Sequence, residues 1–257
     1  MKPALLRWDK IMTHFIKNLL GGLGWELHRI ASIEIPSPPS MRPTMRGALK
    51  WLADEGIHIN TVLDVGASNG SWSAECMAFY PNAKYVLFEP QPVHSDALDN
   101  FSNVCKQNVL LVKKAVGASE GSTLFDATDP FGGALADKEG KNTIEVGLTT
   151  IDSALLEIKA EAPYLLKLDT HGFEKSILAG SNSTLEECEV LIIEAYNFRI
   201  TEESFMFWEL CTYLAGKGFR PVDLVDVLHR TYDNSLWQMD LIFIRDSWKG
   251  FDYISYK

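Results

Sequence analysis

Asp169 and His171 stand two residues apart in KLDTHGFE and are the first side chains to suggest chemistry. An imidazole with an ordinary pKa of about 6.5 can take a proton near neutrality without a large shift. An ordinary aspartate, near about 3.9, needs burial or a like-charged neighbour to become comparably basic. Basicity favours His171 as a base, with Asp169 positioning a ligand. Gly172 suggests that the chain is already turning, so the spacing leaves open where the two side chains point, and His171 can equally be a polar cap on the next helix. Glu174 falls in the first turn of that helix, where a negative charge suits exposed amides, and reads as structural. Glu194 closes another apolar run and is either an acceptor-pocket group or a solvent-facing strand end.

A second pair of acids lies earlier. Asp64 sits in TVLDVGASNGSWS, an apolar run that passes through a glycine-bearing turn into a helical pattern, and Glu89 follows the apolar run KYVLF. A carboxylate at the end of a second strand can accept hydrogen bonds from both hydroxyls of a ribose. Asp64 is placed to orient the turn or, directly or through water, to neutralise an ammonium. Gly66 permits a tight turn, and Gly70 permits close approach of a ligand or a helix backbone. The turn has neither the G-x-G-x-x-G spacing of a dinucleotide fingerprint nor the GK[ST] ending of a phosphate loop. S-adenosylmethionine fits a site that asks for a ribose and a cationic end but no phosphates. Asp64 as a turn cap, Glu89 as a solvent-facing strand end and glycines that only close a connection form the alternative reading.

These groups need a scaffold to bring them together. From residue 61 the sequence alternates strand and helix: TVLDV, SWSAECMAFY, KYVLFE, a helix from Pro92 to Cys105, VLLVKKAV at 109–116, a helix near 151–159, YLLKLD at 164–169, VLIIEAY at 190–196, a helix around 203–216, a strand around 219–227 and LIFI at 241–244. Near-continuous apolar strands between helices predict a mainly parallel sheet covered on both faces. The polar interval 125–147 is a hairpin, a disordered excursion or a binding element beside the strand ends, and Phe131 next to Gly132 and Gly133 is a candidate lid. Trp72, Phe79 and Tyr80 are expected to pack on the sheet, and Trp208 and Trp237 to sit in a core or subunit interface.

Upstream, Leu5, Trp8, Met12, Phe15 and Leu19 form a helical stripe over 2–20, ended by GGLG at 21–24, and EIPSPPSMRP at 34–43 reads as an extended connector. A short amphipathic helix is predicted over 44–55. The expected organisation is an N-terminal helical extension with a Pro-rich connector over 1–58 and one α/β domain over 59–257, with the first helix offering a homo-oligomer contact.

Composition narrows the partners. The 257 residues carry a net charge of −10, with eight Lys/Arg against five Asp/Glu in residues 1–60 and 16 against 29 beyond. An acid excess argues against nucleic-acid backbones as partners, whose non-specific affinity rests on cationic contacts to phosphates. There is no run of 18 apolar residues, so no membrane span is expected. Cys76, Cys105, Cys188 and Cys211 form no CxxC pair and read as reduced thiols in a cytoplasmic protein. H-E-x-x-H is missing, which argues against a zinc enzyme.

VLDVGASNGSWS followed by LFEP resembles the opening of class I S-adenosylmethionine-dependent methyltransferases. TTIDS at 149–153, LLKLDTHGFEKSILAG at 165–180 and DLIFI at 240–244 resemble the FkbM family of O-methyltransferases in particular. The run K-L-D-x-x-G-x-E-x-x-x-L-x-G from Lys167 is the most specific part of the match. The resemblance implies a doubly wound, Rossmann-like seven-stranded sheet, mostly parallel with the last strand antiparallel. It implies methyl transfer to a hydroxyl of a small or sugar-like acceptor, which points to secondary metabolism. It places the cofactor against Asp64, Gly66, Asn69, Gly70 and Glu89, with Ala67 and Ala115 completing the set, and puts the family's characteristic acid at Asp169. Members commonly carry an acid where this chain has His171, as in D-x-E-G-x-E. Asp152, Asp169 and Glu194 are conceivable Mg²⁺ ligands, but that departure and the want of a paired aspartate motif disfavour the metal. Two other functions remain open: a non-catalytic cofactor-binding or assembly domain, and an NAD-dependent oxidoreductase, the latter disfavoured by the glycine spacing.

Overall fold

Five short, almost wholly apolar strands set the frame. In the computed structural model, described for residues 44–256 except 106, 107, 131 and 136–139, β1 (Thr61–Val65), β2 (Lys84–Phe88), β3 (Val109–Val112), β8 (Tyr164–Leu168) and β9 (Cys188–Tyr196) run parallel. β10 (Phe219–His229) and β11 (Leu236–Arg245) complete a seven-stranded sheet of order β10-β11-β9-β8-β1-β2-β3. β11 is antiparallel to both neighbours. This is the Rossmann-like methyltransferase sheet that the sequence led us to expect. The expected helix over 2–20, its GGLG end and the connector at 34–43 lie outside the described residues.

Alternation along each strand divides the core between the two faces. Leu63, Val65, Leu166, Leu168, Leu191 and Ile193 belong to one buried cluster, while Val62, Leu165, Val190, Ile192 and Ile242 belong to the other. Helix α1 (Met45–Asp54) covers the second face and buries Leu49 and Leu52 completely. Its start is capped by the Thr44 hydroxyl, which accepts from the Gly47 amide at 3.1 Å. This helix belongs to the same compact unit as the sheet. Helices α2 (Ser71–Cys76) and α3 (Ser95–Cys105) follow β1 and β2; α4 (Ile151–Ile158), α5 (Glu174–Ala179), α6 (Asn182–Glu186) and α7 (Phe207–Ala215) supply the later connections.

The predicted strand 109–116 is two strands. The chain turns at Lys113 and Lys114, and the Lys114 amide donates back to the Val112 carbonyl at 2.8 Å. β4 (Ala115–Val116) then leaves the main sheet for a smaller one of order β4-β7-β5-β6, with β5 (Gly121–Asp126), β6 (Ala134–Leu135) and β7 (Thr143–Thr149). Of the readings for the polar interval, the hairpin holds: β5 and β7 pair antiparallel. Phe131 lies outside the described residues.

Trp208 is 45% exposed, so it is not core, whereas Trp237 stacks on Phe198 at 5.2 Å between ring centres. All four cysteines are unpaired, with Cys76 and Cys188 buried. No helix among the described residues is long and apolar enough to cross a membrane.

Candidate active site

The strand carboxyl ends open into a cavity of about 660 Å³, within the range of small-molecule sites. Gly66, Ala67, Asn69, Glu89, Ala115, Asp169 and His171 all line it. Asp64 and Gly70, the other two candidates, do not.

The turn after β1 explains that split. Gly66 has φ +79°, and a Cβ there would fall on the Asp169 backbone carbonyl. It is the neighbouring strand end, as well as the turn, that demands glycine. Gly70 has φ +81°, and its Cβ would press on Phe101 and Leu98 of α3 at 3.2 and 3.4 Å, so its smallness serves helix packing. Asp64 is fully buried behind the cavity. One of its oxygens accepts from Ser73 Oγ at 2.7 Å and the other lies 3.3 Å from Lys167 Nζ. Direct neutralisation of a ligand ammonium by Asp64 is therefore excluded by geometry, because its charge is already matched within the protein.

Glu89 keeps the place expected of a ribose acceptor. It is 7% exposed, with Oε2 accepting from the Ser68 amide and Oε1 from the Gln91 amide, each at 2.8 Å. Burial raises its pKa, although the two amides and His94 oppose the shift. Each carboxylate oxygen has a second lone pair for a ligand hydroxyl. Beside it, the Gln91 side-chain amide nitrogen donates to the carbonyls of Asp129 and Pro130, while its side-chain oxygen has no hydrogen-bond partner among the described residues. Gly133 closes this wall: a Cβ there would overlap the Gln91 amide and the Phe125 ring.

The opposite end is charged. Lys167 lies between two acids, 3.3 Å from Asp64 and 3.2 Å from Asp169, with its ammonium 5.4 Å from the centre of the Trp72 ring. Burial alone would lower the lysine's pKa, but the two aspartates outweigh it and hold it raised. Asp169 is partly exposed. Burial would raise its pKa, yet Lys167 and His171 bring it below the ordinary aspartate range. His171 and Gly172 both take positive φ, +52° and +101°, so the chain turns where the glycine suggested. Glu174 holds that turn, accepting from the Gly172 amide and the Thr170 hydroxyl at 3.1 Å each.

His171 Nδ1 lies 3.1 Å from Glu194 Oε2 and 3.0 Å from the Tyr196 oxygen. The Tyr196 hydroxyl donates to Glu194 Oε2, and the Gln238 amide donates to Oε1. Asp240 stands opposite Glu194 in the β9–β11 register. Burial, with Asp169 and Glu194 nearby, raises its pKa to about 7.

A family model described as the methyltransferase FkbM domain matches residues 64–221. The chain belongs to the FkbM methyltransferase family. Solved structures with similar folds include an FkbM methyltransferase from Methylobacillus flagellatus KT, with 17% identity and a TM-score of 0.47 over 72% of this chain and 45% of that one. A precorrin-6y C5,15-methyltransferase from Geobacter metallireducens GS-15 has 12% identity and a TM-score of 0.44 over 79% and 87%. The magnesium protoporphyrin IX methyltransferase from Synechocystis PCC 6803, solved with bound SAM, has 13% identity and a TM-score of 0.44 over 77% and 76%. This chain thus aligns with less than half the length of the Methylobacillus FkbM protein. No curated protein matches the sequence.

Within this family member, residues that the sequence did not single out as site candidates complete the cavity wall: Lys167, Trp72, Gln91, Gln238, Asp240 and Asp226. Trp72 packs against the core cluster of the second sheet face, as expected, and also offers its ring to the cavity and to Lys167. A period-two reading could have found part of this set. Residues 165, 167 and 169 alternate with the apolar positions of β8, as 192 and 194 do in β9 and 240 and 242 in β11, so the charged ends share one face.

The donor atoms of Asp169, His171 and Glu194 lie within 4.8 Å of one another. The set fits Mg²⁺ poorly, since that ion takes mainly oxygen ligands in octahedral geometry. Asp169 already holds an ammonium, and both Glu194 oxygens are engaged. Asp152, the third conceivable ligand, is elsewhere, accepting from the Ser183 and Thr184 amides at the start of α6.

Proposed function

We propose that this family member transfers a methyl group from S-adenosylmethionine to a hydroxyl of a small, sugar-containing metabolite, with His171 as the base and Asp169 as a positioning group. The observation that carries the reading is one cavity with a ribose-type carboxylate at one wall, Glu89, and an imidazole at the other, His171. Glu89, Gln91, Ala67, Asn69 and Ala115 would hold the cofactor, which supplies an already activated methyl sulfonium. What remains for the protein is alignment and proton removal. Holding an acceptor oxygen behind the methyl carbon is worth on the order of 7–11 kcal/mol in the best intramolecular models. A base adds roughly 10²–10⁴ in rate.

Asp169 suits the positioning role because Lys167 and His171 keep it ionised, which leaves it a hydrogen-bond acceptor and a weak base. His171 suits the proton, since imidazole titrates near neutrality. The carboxylates at this end, Asp169, Asp226 and Asp240, offer acceptors to a polyhydroxylated substrate.

The test is a methyl-transfer assay with S-adenosylmethionine over metabolite extracts, with mass identification of any product that gains one methylene. Calorimetry of cofactor binding runs alongside. Tight binding with no transfer to any extract would favour a non-catalytic cofactor-binding domain, and saturable NAD binding without S-adenosylmethionine binding would favour an oxidoreductase. Within an active enzyme, full turnover of His171→Ala across neutral pH would remove the histidine from the base role.

A further inference from the structure

We propose that Asp64 is a positioning residue that acts on the transfer at second remove: it anchors Lys167, and the anchored ammonium fixes the Asp169 carboxylate at the acceptor corner. This rests on the reading of Asp169 as the group that positions the acceptor. It makes the glycine turn after β1 and the K-L-D run of β8 one electrostatic unit.

The unit has a fixed end and a working end. Asp64 is fully buried, and its Oδ2 accepts from Ser73 Oγ at 2.7 Å, so α2 holds the carboxylate in place. Its Oδ1 accepts no hydrogen bond, and the Lys167 ammonium, 3.3 Å away, is what balances its charge. Lys167 is the register partner of Asp64 on the neighbouring strand and is 6% exposed. The same Nζ lies 3.2 Å from Asp169 Oδ2, on a side chain that is 37% exposed. Asp64 thus stands outside the cavity wall, and Asp169 is part of it.

A lysine ammonium is a point charge on a flexible stem, and a single partner leaves it free to swing. Two carboxylates give it one place to sit, with the Trp72 ring centre 5.4 Å from Nζ. With Asp64 charged, Lys167 stays at β1, and Asp169 has to come to it. Without that anchor the ammonium and Asp169 can shift together toward the cavity, and the acceptor oxygen loses its place behind the methyl carbon. A displacement of about 1 Å costs on the order of 10²-fold in rate. The other charged and titratable groups around Lys167 and Asp169 are Glu194 and Tyr196 from β9, Asp240 from β11 and His171 from the turn after β8.

The experiment compares the full-length wild type with Asp64→Asn and with the double variant Asp64→Asn/Lys167→Met. Carbon-13 spectroscopy with labelled aspartate follows the Asp169 carboxyl, its signal being identified by its loss in Asp169→Asn. The Asp169 midpoint should stay low in Asp64→Asn and rise by about one pH unit or more in the double variant, the size expected for losing an opposite charge at hydrogen-bond range. In calorimetry with S-adenosylhomocysteine, the demethylated cofactor, Asp64→Asn should bind within about threefold of the wild type. Its methyl transfer should fall about 10- to 100-fold.

Equal Asp169 midpoints in the single and double variants would overturn the proposal, because Lys167 would then not hold Asp169. A loss of S-adenosylhomocysteine affinity in Asp64→Asn as large as the loss of transfer would also overturn it, by placing Asp64 on the cofactor. A purely architectural pair would change melting and leave transfer intact in folded Asp64→Asn, and that result too would refute it. Should Asp64→Asn fail to fold, the double variant, whose buried pair is neutral, is compared with the wild type in the same three measurements. Retained transfer in Asp169→Asn would sink the reading of Asp169 while leaving the midpoints and affinities as they are, so the two failures are separable.

Discussion

Lys167 and Asp64 stand opposite each other on adjacent parallel strands, with the ammonium 3.3 Å from the carboxylate and both side chains buried. Asp64 is the residue that the glycine turn first offers to a ligand, yet Lys167 on the cavity wall already claims its charge. Removing one partner of a buried pair leaves an uncompensated charge, which costs about 3–5 kcal/mol. Lys167→Met should therefore lower the unfolding free energy by about that amount in urea titrations. Adding Asp64→Asn should recover part of the loss; additive losses would show that the pair is not coupled.

The Glu89 carboxylate, if it holds the ribose, should matter far more for cofactor binding than for folding. Glu89→Gln retains one acceptor for the turn amides but loses the charge. An affinity loss of about 10- to 100-fold is expected, from charge-assisted hydrogen bonds worth roughly 1.5–3 kcal/mol. Calorimetry with S-adenosylmethionine measures it, and unchanged affinity would move the ribose elsewhere.

Asp240 gives the fold a pH dependence. Its folded pKa, about 7, lies above that of an unfolded aspartate, so the folded state binds the extra proton between the two values. The stability this contributes is fully present below about pH 4 and is lost as pH rises through 7. Glu89 and Glu174, also raised, act in the same direction. Asp240→Asn should flatten the decline between pH 5 and 8 and gain on the order of 1–2 kcal/mol over the wild type at pH 8. Parallel curves for the two proteins would refute this.

Gly66→Ala should destabilise on two counts. Positive φ costs a β-carbon-bearing residue roughly 1–3 kcal/mol, and the new methyl falls on the Asp169 carbonyl. Thermal melts should show a large loss. In any folded fraction the Asp169–His171 corner should be displaced, with methyl transfer falling more than cofactor affinity.

Because Lys167 and the engaged Glu194 leave little room for a divalent ion, chelation should not matter. Turnover in excess EDTA should match turnover in added Mg²⁺ to within about twofold; a tenfold loss, about 1.4 kcal/mol of barrier, would contradict the poor fit of the metal.

The sequence by itself determined the strands of the main sheet, the glycine turn and the family. Val62, Leu63, Leu165 and Leu166 are apolar on both faces because both faces are covered, and that pattern is local. Glu89 and Asp169 were legible because each follows a strand end directly, with His171 two residues beyond Asp169. What only the tertiary structure decided is which side chains meet. Lys167 reaches Asp64, and Gln238 and Tyr196 reach Glu194, through strand order and register that join segments far apart in the chain. Asp64 and Gly70 moved out of the cavity, and Asp152 moved to a helix start, for the same reason. A polar group's role depends on which neighbour satisfies its charge or hydrogen bonds, and no run of adjacent residues states who that neighbour will be.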